Sequence, residues 1–183
     1  MGSTDHQITP LVSQISYTDA PRDAKTIWDQ QIADYGRMTN MKRTLAHSPI
    51  ALRSYMEWYP LKNEIAAVIG ERSAILFAHA ISTETDCLIC STFFRKILIQ
   101  WGENPNALML NQQEQLLVDL GRAIAINFNK VPPALIFPFK QKYGEAFVVN
   151  LVAFAGIMIA TNLFNNVLQL DLDDYLGEFK HPN

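Results

Sequence analysis

The apolar residues of this chain recur every three or four positions, and that spacing predicts a succession of helices. After an aperiodic stretch, Pro21 sits where a first-turn proline belongs. Ile27, Trp28, Ile32 and Tyr35 follow on one face until Gly36 closes the segment. Asn40 to His47 is a short helix with Met41 and Leu45 inward. Ser48-Pro49 starts the next one, serine as cap and proline at the first helical position. That helix carries Leu52, Tyr55 and Met56, Pro60 breaks or kinks it, and Leu61 to Ile69 resumes as far as Gly70. Glu71 to Ser82 repeats Ala74, Ile75, Ala78 and Ile81, and the polar break Thr83 to Asp86 follows. Cys87 to Gln100 is another helix, ended by Trp101-Gly102, with a turn around Asn104-Pro105. Asn111 caps Gln112 to Phe128, whose stripe is Leu116, Leu117, Leu120, Ile124 and Phe128. Ala134 to Tyr143 is a short helix strained by Pro138, and Gly144 separates it from a long apolar helix, Glu145 to Leu170.

No stretch alternates apolar and polar residues between hairpin turns, so the predicted fold is all-α, a single-domain helical bundle. The pattern divides the chain into an irregular arm (residues 1–20), a helical domain (21–170) and an acidic tail (171–183) expected to fray. Ala146 to Ala160 is nearly all apolar, but Asn150 interrupts it and Thr161, Asn162, Asn165 and Asn166 follow. The run is shorter than the roughly 18–20 residues that span a bilayer, which predicts a buried helix and no membrane association.

Composition adds an expectation about assembly. Hydrophobic residues make up 49% of the chain and charged residues only 18%, a low charged share for a soluble domain. Less charge leaves more surface to be covered, which points to self-association. The formal net charge is -3, and Arg37, Lys42, Arg43, Arg53 and Lys62 lie on separate helical turns, so no basic footprint for nucleic acid is expected.

Candidate chemistry is concentrated in one place. The only two cysteines are Cys87 and Cys90, in Cys87-Leu88-Ile89-Cys90. A bridge at that spacing closes too small a loop to staple a fold. The pair therefore reads as a redox couple or half a metal site in a cytosolic protein. Zinc needs four ligands, and His6, His47, His79 and His181 show no ligand spacing, so no metal or cofactor is expected. At a helix start capped by Asp86 or Thr85, unpaired amides and the helix dipole favour a thiolate. The i, i+3 spacing puts both sulfurs on one face, where one thiol can attack and the other resolve. Glu71 is the candidate proton acceptor, and His79, on the same helix, is the only histidine nearby in sequence. Two inert buried cysteines would have the same composition.

Glu71-Arg72-Ser73-Ala74-Ile75-Leu76, an apolar helix, a polar turn, then Cys87-Leu88-Ile89-Cys90 and a helix ending at Gly102 resemble the carboxymuconolactone decarboxylase and alkylhydroperoxidase D-like superfamily. The resemblance extends more loosely from about Arg37 to Leu168. It implies a helical domain that assembles as a homo-oligomer, trimer or hexamer. It also implies that the CxxC branch is a thiol peroxidase or disulfide reductase in antioxidant defence, with a hydroperoxide substrate and a peroxiredoxin or other thiol partner. Both Cys87 and Cys90 are then redox-active, Cys90 as the peroxide-attacking thiol and Glu71 as proton relay. The sequence departs from the family pattern at Phe94, where a histidine one turn beyond the second cysteine is usual. Three substitutes are open: His79, Glu84, or a water linking Glu71 to the thiol. Two other functions follow if the thiols are not redox-active: a decarboxylase-like enzyme acting on a lactone or other small molecule, or a non-catalytic oligomeric binding protein.

Overall fold

A computed structural model describes residues 9–181. Among the described residues the chain is all-helical and has no strand. In chain order the helices are α1 (Arg22–Tyr35), α2 (Asn40–Leu45), α3 (Pro49–Met56), α4 (Trp58–Ile69), α5 (Glu71–Glu84), α6 (Leu88–Gln100), α7 (Gln112–Asn127) and α8 (Phe137–Val167). Short 3₁₀ turns follow at Phe128–Lys130, Pro133–Leu135 and Asp174–Phe179.

Local chemistry sets most boundaries. Ser48 caps α3 by accepting from the Ala51 amide, with Pro49 in the first turn. Asn111 and Glu114 form a reciprocal capping box at the start of α7. The expected break near Pro60 falls at Glu57, and Pro60 lies in the first turn of α4, where its missing N–H costs no helical bond. Pro138 likewise occupies the first turn of α8, so the strain expected there is absent. Gly144 interrupts α8 with φ 87° and ψ 177°, a conformation that only glycine adopts readily.

The core is built around α5, which packs on α7 most extensively and also on α4, α6 and α8. Its side chains from Ser73 to Ala78 are all buried. Gly121 of α7 permits the close approach of α5: a Cβ there would sit 3.1 Å from the Phe77 carbonyl oxygen and 3.2 Å from the Phe77 ring. At the open end of this helix pair, Arg72 donates to both oxygens of Glu103 at 2.7 Å, to Glu114, and to the Met109 carbonyl. It joins α5 to the α6–α7 loop and to α7. A smaller cluster of Ala20, Ala24, Leu45, Ala46 and Leu52 holds α1 to α3.

The ends of the chain depart from expectation. Residues 9–20 are irregular but docked: the Leu11 amide donates to Leu168, and the Ile15 amide to Arg43. The rest of the arm, with His6, lies outside the described residues, as do Pro182 and Asn183. The acidic tail does not fray as far as it is described. Asp174–Phe179 lies on α6, Leu176 is buried, and Asp173 accepts from the Asn40 amide at 2.9 Å. Leu176 supplies the apolar anchor that tail composition obscures.

The helix Phe137–Val167 is long and apolar enough to cross a membrane by length and composition, contrary to the expectation from its shorter apolar run. One side of it, with Phe147, Leu151, Phe154, Ala155 and Met158, is buried in the core.

Candidate active site around Cys87 and Cys90

The α5–α6 turn places the thiols. Thr85 does not cap α6; its hydroxyl donates back to the carbonyls of Ile81 and Ser82. Asp86 takes φ 51°, a left-handed conformation that aspartate tolerates better than most residues. The chain then reverses, and the Cys87 amide donates to Ser82. Cys87 itself is the N-cap of α6, one residue later than the expected caps Asp86 or Thr85. Cys90 sits three residues on, in the first turn.

The two cysteines come within 3.4 Å of each other without a disulfide. Both are buried. Asn165 of α8 reaches down to them, its Nδ2 donating to Cys90 Sγ at 3.2 Å and to Cys87 Sγ at 3.8 Å. Neighbouring asparagines hold the turn. Asn162 Nδ2 donates to Thr85 Oγ1 at 2.7 Å and its Oδ1 accepts from Ser82, while Asn166 donates to the Thr85 carbonyl. The other end of the Asn165 amide, Oδ1, is buried with no partner.

The thiols ionise unequally. The hydrogen bond from the Cys90 thiol is the main reason that Cys87 falls to about 7. Burial opposes this shift, and the Cys90 and Ile89 amides and Asn165 assist it. No regular capping bond closes on the Cys87 side chain, so these amides act by their orientation at the open helix end. Cys90 is pushed well up, because it donates to Cys87 and because it is buried. The arrangement favours ionisation at Cys87 over Cys90, with the two cysteines 3.4 Å apart.

Only Cys90 of the two lines a cavity, of about 110 Å³. Its walls are mostly aromatic and sulfur-bearing, including Met56, Trp58, Phe93, Phe94 and Met158. Phe94 is fully inside, packed edge-on against Phe93 and tilted against Trp58. It makes the position where a histidine was expected part of an apolar wall. Polar groups occupy another part of the lining. Lys42 donates to Gln31 and, at 2.6 Å, to the Tyr59 hydroxyl, and lies over the Tyr59 ring. Burial lowers the Lys42 amine to about 8, against the opposing charge of Asp173. Burial also raises the Tyr59 hydroxyl, with smaller contributions from Tyr35 and Tyr175.

Neither proposed proton acceptor joins this site. Glu71 begins α5 while the thiols follow its other end, so about 20 Å of helix separates them at 1.5 Å per residue. In an antiparallel hairpin the start of α5 faces the end of α6, as the Arg72–Glu103 pair makes plain. Glu71 instead pairs with Lys62 at 2.8 Å on the surface. His79 points into a different groove, where burial and then the charges of Arg95 and Arg122 lower it to about 4. Glu84 is the last residue of α5, and no hydrogen bond or ion pair joins it to either thiol.

Asn165, Trp58, Lys42 and Tyr59 are the site residues that sequence reasoning missed. One signal was present: Thr161, Asn162, Asn165 and Asn166 gather polarity at helical spacing on an otherwise apolar helix. That pattern marks a buried polar contact as well as the end of an apolar run. Among the described residues no three His, Cys, Asp or Glu side chains gather as a metal-ligand set. No protein-family model and no curated protein matches this chain.

Proposed function

We propose that the chain is a thiol oxidoreductase of the CxxC branch of the alkylhydroperoxidase D-like superfamily, cycling Cys87 and Cys90 between dithiol and disulfide to reduce a small hydroperoxide. The single observation that carries this reading is the pair of free cysteines 3.4 Å apart at a helix start, both reached by Asn165, with Cys90 open to a small apolar cavity. In the proposed step Cys90 sulfur attacks the terminal peroxide oxygen as its proton passes to the Cys87 thiolate. The O–O bond breaks, the alkoxide leaves as an alcohol after taking a proton from solvent, and Cys90 becomes a sulfenic acid. Cys87 then attacks that sulfur, hydroxide leaves as water, and a disulfide remains. The balance is two thiols and one hydroperoxide to one disulfide, one alcohol and one water. An external dithiol restores the pair by exchange. Cys87 thereby supplies the base that Phe94 cannot.

The cavity supports a substrate of a few heavy atoms, because it is smaller than the roughly 150 Å³ that holds a benzene ring. Homo-oligomeric assembly and a cytoplasmic setting complete the proposal, the latter because free thiols persist in a reducing compartment.

Stoichiometric ethyl hydroperoxide should remove two hydrogens from the intact mass and leave no alkylatable thiol on unfolding, reversibly with dithiothreitol. Cys90→Ser should abolish turnover. Cys87→Ser removes both the base and the resolving thiol, so it should form a dimedone-trapped sulfenic acid on Cys90 far more slowly than the parent consumes peroxide, and no disulfide. Two thiols that stay reduced under peroxide, or turnover that survives Cys90→Ser, would overturn the reading.

A further inference from the structure

On the reverse side of the α5–α6 hairpin lies a second concavity, of about 810 Å³. It is bounded by α5, α6, the loop after α6, α7 and His181. Its charged and titratable lining is uneven. Arg95, Arg122, His79 and His181 face it, and Asp86 is the one carboxylate in its lining. None of the four ion pairs among the described residues uses Arg95 or Arg122. Arg95 spends one Nη on Asn106 Oδ1 at 2.7 Å, and its Nε is buried with no partner. Both guanidiniums line the same groove as His79, and their charge adds to burial in disfavouring its protonation.

Neither arginine has a carboxylate partner among the described residues. Arg122 is exposed at the groove, and Arg95 keeps a buried Nε unmet, a donor that an anion in the groove would satisfy. Guanidinium forks match the oxygens of phosphate and carboxylate in pairs. The remaining wall is apolar, with Leu76, Leu88, Leu108 and Val118. The groove is much larger than one phosphate, so it has room for an organic group against that wall. We propose that this groove binds a small phosphate monoester, its phosphoryl oxygens held by Arg95 and Arg122 and its organic part laid along the apolar wall. The site is separate from the thiol cavity, shares no lining residue with it, and does not rest on the oxidoreductase reading.

The test is a titration of the full chain with inorganic phosphate and with phenyl phosphate, at ionic strength held constant with sodium chloride, following the His79 ring protons by NMR. Both should shift His79 saturably and raise its pKa from about 4, and phenyl phosphate should bind about tenfold tighter than inorganic phosphate, about 1.4 kcal/mol by that ratio. Arg95→Gln with Arg122→Gln should abolish the saturable shift. If that double variant does not fold, Arg122→Gln alone should weaken phenyl phosphate at least about tenfold, the lower end of a lost charge-assisted pair. A shift that sodium chloride reproduces, equal binding of the two phosphates, or binding undiminished in the variants would overturn the proposal. So would a groove closed by a second copy of the chain, revealed by an oligomer that Arg122→Glu dissociates while phenyl phosphate has no effect.

Discussion

Cys87 and Cys90 are the same residue type less than one helical turn apart, yet their protons are held differently. The difference comes from position: Cys87 receives hydrogen bonds at the helix start, whereas Cys90 donates one and is enclosed. The Cys87 ¹³Cβ chemical shift followed against pH should therefore show that thiol half-ionised near pH 7, a readout that does not need a reagent to reach a buried sulfur. Reactivity is gained as pH rises through that value, because the thiolate is the reacting form. Cys90→Ala removes the largest cause of the shift and should return Cys87 toward the ordinary thiol range. Asn165→Leu removes a donor to both sulfurs and should raise both. A Cys87 titration unmoved by Cys90→Ala would refute the hydrogen-bonded pair. At this scale the thiols were legible because they are rare and three apart. Their partner was not, because Asn165 is 75 residues from Cys90 in sequence and meets it only when α8 crosses the turn. Glu71 and His79 were misplaced for a related reason: sharing a helix with the approach to the thiols says nothing about which end or face looks at them.

The helices were legible wherever a local signal closes them. Ser48-Pro49, the Asn111–Glu114 box and Gly144 act within a few residues, so their chemistry is visible without the fold. Contacts between elements were not. Nothing local distinguishes Gly121 from any other glycine, yet it sets how closely α7 lies on α5. Gly121→Ala should destabilise the chain by about 1–3 kcal/mol, the usual cost of overpacking a tight contact. Urea unfolding would measure it as a lower midpoint with unchanged slope. A midpoint equal to the parent's would mean that the Phe77 ring and the α5 backbone give way freely. The Arg72 cluster belongs to the same class, since Glu103 and Glu114 come from the loop and the helix that its own helix must first find.

For the molecule as a whole, the surface carries the open question of assembly. Val149, Val152, Leu163 and Val167 are exposed along the side of α8 opposite the core. They form one stripe at helical spacing, on a chain already short of charge. A second copy packing there is the simplest cover, and Leu163→Glu should shift the particle to a monomer by light scattering. A wild-type chain that is monomeric at micromolar concentration would dismiss this cover. The Cys87–Cys90 turn has a consequence at the same scale. It is latched by Asn162 and Asn166 from outside the pair, and its sulfurs already lie in contact range. Gaining or losing a bond there asks little of the backbone. On the proposed oxidoreductase reading, the pair would store two electrons at a turn whose neighbours need not move far. A partner would then read the oxidation state by thiol exchange with the pair itself.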